Sequence, residues 1–84
     1  MTVKFVEDYL DSKLKENEEY IVCTFYELRV KYNLSEEDVD KFLEWGRNKL
    51  QNMGYKVYFT GTRFVYQNAN RIVEDNQYMI AIKE

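Results

Sequence analysis

The stretch TFYELRVKYNLSEED, residues 24–38, decides how this chain is read. Thr24 is followed three residues later by Glu27, and Ser35 three residues later by Asp38. At that spacing a hydroxyl accepts from the third backbone N–H, and the acid can reach back to the N–H of the capping residue. Two helix starts therefore lie eleven residues apart. Between them Phe25, Leu28 and Tyr32 form one apolar stripe. Asn33 falls where the chain must turn, and asparagine tolerates the left-handed backbone better than most residues. Leu34 is placed to plug the turn.

Working outward, the helix capped by Ser35 is expected over 36–53. Val39, Phe42, Leu43, Gly46, Leu50 and Met53 recur at helical spacing. A glycine inside such a stripe costs about 1 kcal/mol relative to alanine, so Gly46 predicts the close approach of another helix backbone. Gly54 suits a left-handed helix end. On the other side, residues 3–16 read as a first helix capped by Thr2. Val3, Val6, Leu10 and Leu14 share its face, flanked by Phe5 and Tyr9. Residues 20–23 are apolar and β-prone, a short strand. After Gly54 the period changes to two: Tyr55, Val57 and Phe59 alternate with Lys56, Tyr58 and Thr60. Thr62, Phe64 and Tyr66 then alternate with Arg63 and Val65, and Gly61 marks a bend. This predicts a hairpin over 55–66. Turns are expected over 67–70 and 74–77, a brief strand at Ile72 and Val73, and a last strand over 78–82 with Ile80 and Ile82 on one face.

With 84 residues, 45% of them apolar and 17% aromatic, the chain is expected to be one ordered domain, 1–84, with a modest core. The lone Cys23 can form no internal disulfide and reads as a small core residue. No apolar run approaches the roughly 20 residues of a membrane span, and MTVKFVEDYL lacks a signal-peptide core. A soluble, cytoplasmic protein is expected.

The order helix, short strand, helix, turn, helix, hairpin resembles the winged helix-turn-helix superfamily, an α+β fold of three helices and a small antiparallel sheet. The residues carrying the resemblance are Thr24, with Leu28 at +4, Ser35 at +11, Val39 at +15 and Leu43 at +19, and the pair Gly54-Tyr55 where the wing would start. It covers about residues 20–67. Arg29 stands where the family has a small residue, and Asn33 replaces the usual turn glycine. The resemblance implies a DNA-binding protein whose third helix enters the major groove.

Charge is laid out unevenly. Residues 1–44 carry six Lys/Arg and twelve Asp/Glu, whereas residues 45–73 carry five Lys/Arg and no acid. Cations for phosphates and amides for base edges are what a nucleic-acid surface needs. The candidate DNA-binding residues are Lys41, Arg47, Asn48, Lys49, Lys56, Arg63 and Arg71. Yet the groove helix opens Glu36-Glu37-Asp38, so the hairpin cations Lys56, Arg63 and Arg71 are expected to supply much of the attraction. Few cations per chain favour a homodimer.

The function expected is a small transcription or partition-type regulator of a phage, plasmid or other mobile element, binding duplex DNA. The alternative is an acidic protein-binding module, or an inhibitor of a nucleic-acid enzyme, using the N-terminal half. Without histidine, a metal-ligand cluster or a phosphate-cradling glycine loop, catalysis is not expected, nor a cofactor. The helical register is tested by Leu43→Ala. Its expected cost is about 2–5 kcal/mol in chemical denaturation, the cost of truncating a core leucine.

Overall fold

In the computed structural model the structure describes residues 1–61, 63–67, 70–74 and 78–84. Helix α1 spans Val3–Glu16 and strand β1 spans Tyr20–Thr24; a short π-helix, Glu27–Lys31, leads into helix α2, Glu36–Asn52. Four strands follow: β2 Tyr55–Thr60, β3 Arg63–Gln67, β4 Asn70–Glu74 and β5 Tyr78–Lys83. The chain is a small α+β domain with a three-stranded antiparallel sheet in the order β1-β5-β2.

Local chemistry sets the helix ends. The Phe5 N–H donates to Thr2 Oγ1 (3.1 Å), the Glu27 N–H to Thr24 Oγ1 (3.0 Å) and the Asp38 N–H to Ser35 Oγ (3.1 Å). The Glu27 carboxylate does not complete the expected box, because it pairs with Lys13 of α1 at 3.6 Å. The second helix also differs from expectation. Its ring is widened, with the Tyr32 N–H donating to the Glu27 carbonyl and the Leu34 N–H to that of Leu28. Asn33 takes φ 53° and Gly54 φ 91°, both in the left-handed region their residue types favour. Arg29 Nη1 donates to the Leu34 carbonyl, and Arg29 Nε lies 3.7 Å from Glu36. The arginine therefore ties the turn to α2.

The inner sheet face is built of aligned rows. Ile21, Ala81 and Val57 form one, and Cys23, Met79 and Phe59 the next. These pack on Val6, Leu10, Leu28, Val39, Phe42 and Leu50, all fully or nearly fully buried. Tyr9 meets Phe42 edge-on at 5.1 Å between centroids, and Phe5 meets Tyr32 at 5.3 Å. Such pairs add about 0.5–1.5 kcal/mol beyond the area they bury. The space over Gly46 is filled from the sheet rather than by a helix backbone: a Cβ there would stand 3.2 Å from Met79 Cε and 3.5 Å from Leu10 Cδ1. Val3 and Met53, placed on apolar stripes by spacing, are exposed: Val3 is the first residue of α1 and Met53 caps the end of α2.

The hairpin over 55–66 does not form. β2 pairs along its length with β5, from Tyr55 opposite Lys83 to Thr60 opposite Tyr78. β3 pairs with β4 instead, from Arg63 opposite Glu74 to Gln67 opposite Asn70, so a strand replaces the brief one expected at Ile72 and Val73. The β3–β4 hairpin thus grows out of the β2–β5 pair. The expected turns over 67–70 and 74–77 include residues 68, 69 and 75–77, which lie outside the described residues, as does Thr62.

Burial pushes the Cys23 thiol up to about 12. The sign follows: the unfolded thiol ionises first, so its contribution to stability is full below pH 9 and is lost as pH rises toward 12. The expected outcome is that Cys23 resists alkylation in the native protein at pH 8 and reacts fully in denaturant, as read by mass spectrometry.

Candidate nucleic-acid interface

The four candidate residues on α2, Lys41, Arg47, Asn48 and Lys49, do not gather into one basic patch. Lys41 lies on the exposed side of α2, 3.4 Å from Glu37 one turn earlier. Lys49 reaches across to α1 and pairs with Asp11 at 3.5 Å. Arg47 lies against the Phe59 ring, 5.8 Å from its centroid, in an open groove shared with Asp40 and Glu44. Asn48 is exposed. The helical part of the acid-free segment is therefore met by carboxylates from outside that segment. Coulomb attraction to a phosphate is largely cancelled when a carboxylate stands this close.

Lys56 behaves differently. It lies on the outer face of β2, fully solvated, with Nζ 5.6 Å from the Tyr58 ring centroid. A hydrogen bond with Tyr58, with the charges of Tyr58 and Glu84 contributing, raises its pKa. Arg63 and Arg71 are placed by backbone. Strand alternation assigns positions 63, 65, 67, 70, 72 and 74 to one face of the β3–β4 ribbon and 64, 66, 71 and 73 to the other. The two arginine positions are thus on opposite faces, and Arg63 stands across the ladder from Glu74.

The start of α2 is acidic but partly neutralised. Glu36 is near Arg29 and Glu37 is near Lys41. Acids here also favour the helix dipole. The outward side of α2 presents Glu37, Asp40, Lys41, Glu44, Asn48 and Gln51, all exposed and acidic in balance. This is a poor surface for a polyanion.

Sequence reasoning missed the outer sheet face. Tyr20, Ile82 and Lys56 form one row; Val22, Ile80 and Tyr58 the next; Thr24, Tyr78 and Thr60 the third. Ile80 and Ile82 share a face as expected, but it is the face turned from the core, while Met79 and Ala81 are buried. The signal was available: YIVCT and YMIAI are apolar at successive positions rather than alternating, as in strands covered on both faces.

Among the described residues no helix is long and apolar enough to cross a membrane. The chain matches no protein-family model, no curated protein and no solved structure. Because Lys41 and Lys49 are paired, the double substitution Lys41→Ala, Lys49→Ala should change affinity for duplex DNA by less than about twofold in fluorescence anisotropy, as expected of cations whose charge is already met. A tenfold loss would return α2 to the contact surface.

Proposed function

We propose that this protein is a winged-helix module that binds duplex DNA through its hairpin rather than through its long helix, and acts as a regulator by occupying its site. One observation carries this reading. The β3–β4 hairpin extends the β2–β5 pair, pairs only with itself among the described elements, and, apart from its last residue Glu74 opposite Arg63, belongs to a stretch without a carboxylate from Trp45 to Val73. It holds Arg63, Arg71, Gln67 and Asn70, and Lys56 precedes it on β2. The succession helix, strand, short helix, turn, long helix and strand pair supports the winged-helix scaffold.

The ribbon suits the task. Five residues per strand give a length of roughly 17 Å, and the major groove, about 12 Å wide, admits a two-stranded ribbon. A ribbon in a groove has a phosphate wall on each side. Cations at positions on opposite faces then serve both walls, whereas cations on a single face would serve one. Amides near the end of the ribbon are the residue types that read base edges.

A second reading rests on the acidic outward side of α2, which fits a basic protein partner. Heparin and random duplex DNA at low salt separate the two, since the first reading expects retention and the second exclusion.

With three cations at phosphates, log K should fall against log salt with a slope of roughly −2 to −3 per protomer. Arg63→Ala should weaken binding and flatten that slope by about 1, with stability changed by less than about 0.5 kcal/mol. The measurement is a titration between 50 and 200 mM salt, roughly the range over which phosphate contacts show; a flat response would overturn the reading.

A further inference from the structure

We infer that the outer face of the β1-β5-β2 sheet is the contact between two copies of this chain. Tyr20, Tyr58, Tyr78 and Ile82 are 52%, 43%, 39% and 47% exposed on this face, with Val22 and Ile80 half-buried between them. An apolar patch of this size is at the upper end of what a typical monomer exposes, and such patches are often functional.

Three observations select a second copy as the occupant. First, β1 and β5 are apolar on both faces, yet α1 and α2 cover only one. Second, at roughly 100 Å² from each exposed tyrosine, the nine positions of the face offer about 600 Å² per copy, so a pair would bury about 1,200 Å², the lower end for specific interfaces. Third, the chain is net −3, so copies repel each other over most of their surface. The nine positions hold no carboxylate and a single cation, Lys56. Lys56 lies on β2, in the row of Tyr20 at the opposite edge of the sheet. A twofold axis along the strands sets β1 against β2 of the other copy. Lys56 then faces an aromatic ring rather than its own equivalent, an attractive pairing. Sheets stacked this way pack about 10 Å apart with interdigitating side chains.

The face shares only Lys56 with the contacts proposed above; a dimer leaves Arg63 and Arg71 for phosphates, and because association is read without DNA the two proposals fail separately. The test is sedimentation equilibrium of the full chain from about 1 to 300 µM, the range in which an interface of this size associates. The wild type is expected to be a dimer with a micromolar Kd. Tyr58→Glu and Ile82→Glu, each at an exposed position, are expected to be monomeric with unchanged circular dichroism. Val3→Glu, exposed on α1, should remain dimeric. Should a glutamate variant fail to fold, tyrosine nitration of the wild type decides: Tyr20, Tyr58 and Tyr78 should become protected as concentration rises. A wild type that stays monomeric throughout overturns the inference. So does a dimer that survives both glutamate variants, or one lost with Val3→Glu alone. Monomeric protein whose tyrosine fluorescence is quenched by oligothymidine would assign the face to base stacking and overturn it equally.

Discussion

The methyl end of Met79 resting over Gly46 is the contact on which the rest depends. Met79 is central in the sheet, with Cys23 on one side and Phe59 on the other. It is also where the sheet meets both helices, since Leu10 of α1 borders the same space. A Cβ there would stand 3.2 Å from the Met79 methyl, which would have to give by a few tenths of an ångström. The helix-propensity loss of about 1 kcal/mol is offset by burying a whole methionine.

The turn between the short helix and α2 is held in an unusual way. A widened helical ring, a left-handed Asn33 and the Arg29 guanidinium on the Leu34 carbonyl together bring Leu34 into the core and aim α2. The Arg29 guanidinium supplies donors that satisfy that carbonyl and meet Glu36. The turn thus aims an α2 whose outward side, acidic in balance, is poorly suited to a phosphate-lined groove.

Charge is sorted by tertiary contact. Lys49 belongs to an acid-free segment, yet its partner Asp11 comes from α1. Lys13 and Glu27, far apart along the chain, also meet. These pairs are partly exposed and contribute little stability. Their effect is on the field: they set a carboxylate beside Lys49 and beside Lys13, which lowers the positive potential those side chains present.

What the sequence alone determined is what depends on neighbours a few residues away. Caps at Thr2, Thr24 and Ser35, the left-handed Asn33 and Gly54, the periods of α1 and α2 and the buried Cys23 all follow from local hydrogen bonding, backbone sterics and spacing. Strand partnership did not follow, because alternation marks a strand without saying which strand it joins. Gly61 reads as a hairpin turn by residue type, and it does take φ 80°. Yet β2 ends at Thr60 without pairing to β3 and takes β5 as its partner, where Met79 and Ala81 supply the inner face that the core requires. The candidate site divides in the same way. Residue types gave the cations and amides, but only the folded chain decided which cations are met by carboxylates and which positions share a face. Electrostatics and burial act through space, and that distance is unwritten in the order of residues.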